Sequence, residues 1–463
     1  MTEQLKLKLN DSKATRWGAL VIVAFTMMAA YYVNDVVAPL KTMLETDLAW
    51  SSTDFGFFTG GYSFLNVFFL MLIWGGLILD RFGIRFTGKL ATILMVGGTA
   101  LEYYAMTGLA GADATLFGIN EIFGYKTGVF VAFAGYSIFG VGAEVAGITV
   151  SKIIAKWFKG KELATAMGVQ VALARIGSQA GYAVAIPLAR AFGISTPVLL
   201  GLVLLLGGMI AFFIFAVMDK KLDKQMEAAA IAAGTEDEEE KFSFKDVKNI
   251  LVNPGFWLIA LLRVLFYSCV FPFQKFASEL MIIKYGINEN VAGTFAGLPA
   301  LGALILTPVF GGFIDKRGKS ASIMLLGSAM LICVHFIYAI PDINYWLVAI
   351  VLMIILGIAF SLVPSAMWPA VAKIFPVSQL GTAYALIFFI QNIGLWGIPT
   401  LIGWVLDAYC ISGKKPDGTN MYDYTVPMCI FTGIACLSLI VALLLKKADK
   451  KYGYKLEEPN IQK

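Results

Sequence analysis

Long apolar runs divide this chain into segments that each suit a membrane-spanning helix. A helix crosses the hydrocarbon layer of a bilayer with about 20 mainly apolar residues. Twelve runs of about that length alternate with short polar segments, which predicts an all-α membrane protein. The predicted spans are 16–40, 53–79, 88–108, 127–151, 162–187, 194–217, 255–278, 290–314, 320–340, 343–370, 379–407 and 425–447.

One long polar stretch, 218–254, interrupts this series after the sixth span. It contains an acidic run at 236–240, and charge runs of this kind are usually solvated linker. The stretch therefore predicts an N-terminal six-helix bundle (1–217), a cytoplasmic linker (218–254), and a C-terminal six-helix bundle with a cytoplasmic tail (255–463).

The composition excludes most classes of soluble protein. Hydrophobic residues make up 59% of the 463 positions and charged residues only 14%, whereas soluble domains carry about 25% charged residues. The mean hydropathy is +0.77. The sequence contains no phosphate-binding loop, nucleophile elbow or zinc-ligand spacing. We therefore predict a protein that is not an enzyme and that has no cofactor and no metal site.

The basic residues predict the orientation in the membrane. If both termini lie on one side, 27 of the 36 Lys and Arg residues fall on that side, 6 on the opposite side and 3 inside spans. Cytoplasmic loops carry an excess of Lys and Arg. This distribution predicts a multi-pass integral membrane protein with both termini in the cytoplasm.

A charged motif with a glycine follows the second span and recurs after the eighth. Glycine permits a tight turn between two helices, and an aspartate there can meet a cation or a helix N-terminus in one conformation only. Parallel internal repeats are typical of transporters whose site lies between the halves near mid-membrane. The predicted conformational-gating residues are Asp80, Arg81 and Gly83 in the first copy and Asp315, Arg317 and Gly318 in the second.

The chain resembles the major facilitator superfamily in its twelve spans, its six-plus-six division and the presence of this motif in both halves. The resemblance implies two pseudo-symmetric bundles that rock against each other in alternating access. It also implies a cavity lined mainly by spans one, four, seven and ten.

Two opposite charges are predicted to lie at the same depth in the membrane. Glu144 in the fourth span and Arg175 in the fifth lie 16 and 15 residues from the turn near Gly160. A helix rises about 1.5 Å per residue, so both side chains reach the middle of the bilayer. They can form a structural ion pair or receive a zwitterionic solute. The second half has Ser361 and Asn392 at the corresponding positions, which favours a binding role.

Further side chains share faces with these charges or lie at similar depth in spans one, seven, ten and eleven. Asp35 could contact substrate, carry a proton or cap the outer end of the first span, and Lys275 is predicted to extend to the membrane rim. Pro364 and Pro369 predict either a break in the tenth span that positions Trp368 to stack on a ligand, or a kinked gate at this place. The predicted substrate-binding residues are Glu144, Arg175, Gln179, Tyr182, Asp35, Tyr31, Arg263, Tyr267, Trp368 and Asn392.

Four short motifs resemble the lysosomal dipeptide-transporter branch of the superfamily. They surround Asp35, Glu144, Arg175 and Trp368. The resemblance implies that Glu144 holds the amino group of a peptide and Arg175 its carboxylate, and that a glycosylated accessory subunit assists. The only glycosylation sequon begins at Asn10, in the predicted cytoplasmic terminus, which argues against an accessory subunit and a lysosomal address. We expect a bacterial inner-membrane relative.

Two other functions remain compatible with the residues. Arg175 and Arg263 could grip an organic anion while carboxylates carry protons, as in a proton-coupled organic-anion transporter. A non-transporting membrane sensor would need an output domain, and 218–254 is short for one. The predicted partners are a small-molecule substrate and the lipid bilayer, with no nucleic acid, and nothing in the pattern requires more than a monomer.

Overall fold

The computed structural model describes residues 8–111, 114–158, 161–233 and 244–459. Short strands form two hairpins, β1–β2 (Glu121–Ile122 and Tyr125–Lys126) and β3–β4 (Ile411–Lys414 and Asn420–Tyr422). The helices are α1 (Lys13–Val36), α2 (Lys41–Leu48), α3 (Ser52–Phe68), α4 (Met71–Thr107), α5 (Thr127–Trp157), α6 (Leu163–Phe192), α7 (Thr196–Ala233), α8 (Phe244–Val252), α9 (Pro254–Tyr285), α10 (Glu289–Ala296), α11 (Leu298–Arg317), α12 (Ser320–Ala339), α13 (Trp346–Ile374), α14 (Val377–Tyr409) and α15 (Thr425–Tyr452).

These helices account for the twelve predicted spans. Nine spans in the described ranges are long and apolar enough to cross a membrane, and the pair α3–α4, bent by 58°, brings the number to ten. Helix α4 also contains the third predicted span beyond its kink at Gly83. Helix α6 corresponds to the fifth predicted span. It is not among the nine or ten apolar spans, because its polar residues lower its hydropathy. Helices α10 and α11 together form the eighth span.

Helices α7 and α8 occupy both ends of the long polar stretch. Helix α7 continues past the sixth predicted span as far as Ala233, and α8 begins at Phe244. The acidic run at 236–240 lies outside the described residues.

The two halves use the same pattern of helix neighbours. Helix α1 packs against α6 and α7, just as α9 packs against α14 and α15. Likewise, α5 packs against α3 and α4, and α13 packs against α11 and α12. The halves meet where α3 packs on α14 and where α6 packs on α10 and α11. The architecture is therefore a pair of pseudo-symmetric bundles with equivalent contacts at their junction.

Glycines bring the halves into close contact along α3 and α14. A Cβ atom on Gly56 would lie 2.4 Å from the carbonyl oxygen of Pro399, and one on Gly403 would lie 2.2 Å from that of Ser52. Such distances exclude any side chain, so these helices touch through their backbones. We call the side of the molecule that carries β1–β2 and β3–β4 the hairpin face, and the side that carries the chain's ends and 218–254 the terminal face.

The repeated motif forms turns at the terminal face that need glycine. Gly83 has φ +75° at the kink of α4, and Gly318 has φ +70° at the end of α11. Side chains other than glycine rarely adopt this backbone conformation. Asp80 meets a cation here, because its Oδ1 lies 3.1 Å from Lys152 Nζ of α5. At the second copy, the backbone of the tail packs directly on Gly318 near Glu458.

The predicted break in the tenth span is wrong. Helix α13 runs without interruption from Trp346 to Ile374, through Pro364 and Pro369. The carbonyls that lose a backbone donor are those of Phe360 and Ser365, four residues before each proline, and a transmembrane helix tolerates such losses where neighbouring helices surround it.

Candidate functional site

Glu144 is held by a tyrosine and attracted by an arginine. It lies half-buried on α5, and Tyr62 of α3 donates a hydrogen bond to its Oε1 at 3.1 Å. Its carboxylate also interacts electrostatically with Arg263 of α9, across the junction between the halves. One side of the carboxylate is therefore fixed, while no Lys or Arg nitrogen of the described residues lies within 4.0 Å of it.

Arg175 lies half-buried on α6 between two aromatic rings. Its guanidinium carbon is 5.5 Å from the ring centre of Tyr31 and 4.9 Å from that of Phe360. Tyr31 belongs to the first half and Phe360 to the second. Arg175 and Glu144 both interact electrostatically with Tyr31, although no ion pair within 4.0 Å joins the two charges in the described structure. The opposite charges therefore reach one region without pairing.

Arg263 is buried in a cage of aromatic rings. Its guanidinium carbon lies 4.1 Å from the ring centres of both Tyr267 and Trp368 and 4.8 Å from that of Phe388. Its Nε donates a hydrogen bond to Gln391. Aromatic faces and an amide thus stabilise a guanidinium that has no carboxylate within 4.0 Å among the described residues.

These side chains define a central cluster that spans both halves. Sequence reasoning missed Tyr62, Phe360 and Phe388. A tyrosine inside an apolar span could have drawn attention to Tyr62, but two phenylalanines among 35 carry no distinguishing signal. The central cluster consists of Tyr31, Tyr62, Glu144, Arg175, Arg263, Tyr267, Phe360, Trp368, Phe388 and Gln391.

Asp35 and Lys275 lie on the hairpin side of this cluster, where they join the halves. Lys275 Nζ is 3.5 Å from Asp35 Oδ1 and 3.2 Å from the hydroxyl of Tyr136, and it donates to the carbonyl of Asn34. Lys275 is only 8% exposed. Its predicted place at the membrane rim is therefore wrong, because the first half supplies three polar partners and makes snorkelling unnecessary.

A fully buried acid that sequence reasoning did not single out lies near this ion pair. Glu102 of α4 is 0% exposed, and neither of its carboxylate oxygens has a hydrogen-bond partner. It interacts electrostatically with Lys275 and Tyr136. An ionised carboxylate without a hydrogen-bond partner would be costly at this depth.

The structure places three other predicted site residues away from the central cluster's charges. The side-chain amide of Gln179 donates to the backbone carbonyl of Thr294 at 3.3 Å. The hydroxyl of the buried Tyr182 donates to the backbone carbonyl of Gln274, also at 3.3 Å. Both bonds tie α6 to the second half. Asn392 is fully buried on α14 and donates to its own helix, while its Oδ1 has no partner.

A second charged cluster closes the hairpin face. The ammonium of Lys41 donates to both Glu45 and Glu279 at 2.5 Å. Lys415 lies 3.6 Å from Glu45 and 3.5 Å from Glu279, and Tyr424 donates its hydroxyl to Glu279. Lys41 and Glu45 belong to the first half, and the other three belong to the second. We call these five residues the gate cluster.

The described ion pairs at the terminal face join helices within one half. Lys156 Nζ and Arg85 Nη1 reach Asp223 of the extended α7 at distances of 2.5 and 2.8 Å. Lys161 donates to Asp11 at 2.9 Å and thereby lowers the pKa of that carboxyl. The molecule is thus locked across its halves at the hairpin face and reinforced within each half at the terminal face.

This arrangement suits the binding of a polar solute between the halves. Glu144 offers an anion, Arg175 offers a cation, and the aromatic rings offer apolar walls. Within the described ranges, His, Cys, Asp and Glu side chains form no group of three that could hold a metal ion.

The sequence profile of the Major Facilitator Superfamily matches residues 20–399 and again 286–458. The chain belongs to this superfamily. It is therefore a multi-pass membrane transporter and not an enzyme, built on the fold of twelve transmembrane helices that the superfamily shares.

The chain is similar over most of its length to lysosomal dipeptide transporters. It is 29% identical to the human lysosomal dipeptide transporter MFSD1 over 454 residues, which cover 95% of this chain and 88% of the human protein. It is 33% identical to the chicken MFSD1 over 287 residues, which cover 59% of this chain and 62% of the chicken protein.

Solved structures share the fold at low sequence identity. The nucleoside transporter NupG superposes with a TM-score of 0.68 at 12% identity, over 92% of this chain and 99% of its own. A peptide transporter, POT, in complex with sulfate superposes with a TM-score of 0.68 at 14% identity, over 96% of both chains.

Proposed function

We propose that this transporter carries a small zwitterionic solute, most simply a dipeptide or an amino-acid-like molecule. Glu144 takes the ammonium group of the solute and Arg175 takes its carboxylate. The observation that carries the proposal is the placement of these two half-buried opposite charges, which approach the same tyrosine, Tyr31, without pairing with each other.

The surroundings of both charges suit a bridging ligand. Tyr62 fixes Glu144 and leaves its second oxygen available, while Tyr31 and Phe360 flank Arg175 and leave its planar fork available. A carboxylate can accept two parallel hydrogen bonds from such a fork. The similarity to lysosomal dipeptide transporters and to a peptide transporter structure supports this substrate class.

The closed hairpin face suggests how binding is coupled to transport. Arg175 belongs to the first half, but it contacts Phe360 of the second half. A solute held there touches both halves, so its binding energy can bias their relative orientation. We infer that the bound state loosens the hairpin-face lock and that the halves then rock in alternating access.

Two further features belong to this proposal. The excess of Lys and Arg at the terminal face supports cytoplasmic termini, and we propose a bacterial inner membrane as the location. We also propose that the chain works as a monomer without an accessory subunit. Protease protection of tags at the two ends, in right-side-out vesicles, tests the orientation.

Binding isotherms test the zwitterion model. A dipeptide, its N-acetylated form and its C-terminal amide are compared on the wild type, Glu144→Gln and Arg175→Lys. Glu144→Gln should weaken the free peptide and spare the acetylated form. Arg175→Lys keeps the charge but loses the planar fork, so it should weaken the free peptide by about 1.5–3 kcal/mol, the scale of a hydrogen bond to a charged group, and weaken the amide less.

Equal losses of affinity for all three ligands would contradict the model. A site that binds both the amino group and the carboxylate must distinguish the free peptide from the acetylated and amidated forms. Asn392→Leu provides a matched control, since it removes a buried polar group of α14 that bonds only its own helix and adds no charge. Its effect should not depend on whether the ligand is acetylated or amidated.

A proton-coupled organic-anion carrier is the second candidate. The central cluster contains two guanidinium groups, Arg175 and Arg263, against one carboxylate, Glu144, which favours a net anion. This alternative predicts that Glu144→Gln leaves the binding of a monovalent anion intact or improves it, and abolishes only its accumulation driven by a pH gradient. Uptake into proteoliposomes with and without the gradient distinguishes the two candidates.

A further inference from the structure

Glu102 of α4 is packed against the backbone of α5 inside the first half. A Cβ atom on Gly135 would lie 2.9 Å from the backbone nitrogen of Glu102, so the two helices touch at this point. Glu102 is 0% exposed, and neither oxygen of its carboxyl group has a hydrogen-bond partner among the described residues. Tyr136, the next residue of α5, interacts electrostatically with Glu102. The acid is therefore enclosed beside a tyrosine that reaches the junction between the halves.

Lys275 of α9 covers this part of the first half. Its Nζ lies 3.2 Å from the hydroxyl of Tyr136 and 5.8 Å from the centre of that ring, and it interacts electrostatically with Glu102. Helices α3, α7 and α14 also pack on α4, and no charged group of their described residues interacts electrostatically with Glu102. The charged group that faces Glu102 thus comes from the other half of the molecule.

The charges at this place do not balance when both acids are ionised. Asp35 and Glu102 belong to the first half, and Lys275 is the cation that faces them. Asp35 Oδ1 lies 3.5 Å from Lys275 Nζ and accepts a hydrogen bond from the side-chain amide of Asn34 at 2.8 Å, so Asp35 has the partners that an ionised carboxylate needs. Glu102 has no such partner. A proton on Glu102 removes both the excess negative charge and the cost of a buried, unbonded carboxylate.

Opening of the hairpin face would change the surroundings of Glu102. Lys275 moves away with the second half, and its contacts with the first half, at Asn34, Asp35 and Tyr136, break. Water then reaches the surface that Lys275 covered, and a glutamate in water is ionised above about pH 4.3. The form that is closed at the hairpin face would therefore hold one proton more than the open form.

We propose that Glu102 is a proton-binding site whose occupancy is linked to closure of the hairpin face. One proton is taken up from the solution on that side when the halves close, and it returns there when they part. Below about pH 4.3 both forms hold the proton. As the pH rises above this value, the open form loses its proton and the ratio of closed to open form falls by up to about tenfold per pH unit. The proposal rests on the rocking of the halves and not on the identity of the solute.

Distance measurements across the hairpin face test this linkage. The five native cysteines are replaced by alanine. Nitroxide labels are attached to Glu121→Cys on β1 and Met421→Cys on β4, two exposed positions in opposite halves. Electron paramagnetic resonance gives the distances in nanodiscs without solute, at several values between about pH 5 and 8. The short-distance, closed population should grow as the pH falls, with a ratio that changes by up to about tenfold per unit.

Two neutral variants and one control assign the proton to its residue. Glu102→Gln resembles the protonated acid and cannot titrate, so its closed population at pH 8 should equal that of the wild type at pH 5. Glu102→Met provides a second neutral variant with the same expected result, in case the amide disturbs packing. Glu144→Gln neutralises the half-buried acid of the central cluster and should keep the wild-type pH dependence.

Three outcomes would overturn the proposal. The first is a closed population of the wild type that is the same at pH 5 and pH 8. The second is a pH dependence that survives in the neutral variants of Glu102. The third is a pH dependence that disappears in Glu144→Gln, because the proton would then belong to the central cluster. Since no solute is present in these measurements, none of these outcomes bears on the zwitterion model.

Discussion

Two groups of charges between the halves differ in how completely they are paired. In the gate cluster, Lys41 and Lys415 each face both Glu45 and Glu279, so that two cations balance two anions. In the central cluster, Glu144 and the two arginines form no ion pair within 4.0 Å among the described residues. The paired group holds a conformation, whereas the unpaired group has charge available for a ligand.

The gate cluster can also separate without leaving a lone charge. Lys41 and Glu45 travel with the first half, and Glu279 and Lys415 travel with the second. Opening breaks only the Lys41–Glu279 and Lys415–Glu45 contacts and leaves one neutral pair in each half. Since an uncompensated buried charge is what makes breaking an ion pair costly, this arrangement permits a lock that can still open.

The largest expected effect comes from removing one anion of the gate cluster. Glu279→Gln leaves Lys41 and Lys415 with one carboxylate between them, and breaking a buried pair in this way costs about 3–5 kcal/mol. We expect a marked fall in the unfolding temperature in detergent. Arg190→Gln is the matched control, because its pair with Glu289 is exposed on the same face and should cost about 0–1 kcal/mol.

A compensating change sharpens this prediction. Lys41→Met combined with Glu279→Gln removes one charge of each sign and leaves Lys415 paired with Glu45. Most of the lost stability should return. A double variant that is as unstable as Glu279→Gln alone would show that packing, and not charge balance, holds this face together.

The next effect concerns the central cluster and should appear mainly with ligand. Arg175→Met removes a cation that has no anionic partner within 4.0 Å. Without ligand, the variant should therefore lose only the cation–π contacts with Tyr31 and Phe360, which contribute about 0.5–2 kcal/mol. Stabilisation by a saturating dipeptide should disappear. A large loss of stability without ligand would place Arg175 among the structural charges instead.

Glu102 tests the comparison of paired and unpaired charges with a smaller expected effect on stability, because it is a buried acid without a hydrogen-bond partner. Because both of its oxygens lack hydrogen-bond partners, replacing it with an apolar side chain of similar size should be nearly neutral or stabilising. Glu102→Met should therefore unfold at the wild-type temperature or slightly above it, when both are measured by scanning fluorimetry. A clear drop would mean that an ionised Glu102 stabilises Lys275 over distance.

The smallest effect on ligand affinity is expected at the terminal face. The exposed pair of Asp80 with Lys152 joins helices of one half, and Lys152 lies about 12 Å beyond Glu144 along α5, at 1.5 Å per residue. Asp80→Asn should slow transport by shifting the conformational equilibrium while it leaves the dissociation constant of the ligand nearly unchanged. Lys152→Gln should slow transport similarly, and the double variant should be no slower than either single one. Weaker binding with normal turnover at saturation would contradict this role.

Periodicity and charge were sufficient to predict the membrane fold. The number of spans, the six-plus-six division and the glycine-dependent turns at Gly83 and Gly318 follow from local rules, because each depends on a short stretch of chain. The prediction that Glu144 and Arg175 lie at the same depth also needs only a count of residues from the turn near Gly160, since a helix has a fixed rise per residue.

Only the tertiary structure decided which side chains meet across the halves. Counting along the chain could not show that Lys275 is buried against Asp35, or that Trp368 stacks on Arg263. These contacts join helices that are distant in sequence, and their register depends on how the two bundles pack. The continuity of α13 through Pro364 and Pro369 was likewise decided by its surroundings, because a transmembrane helix that packs among neighbouring helices, as α13 packs against α11 and α12, tolerates proline.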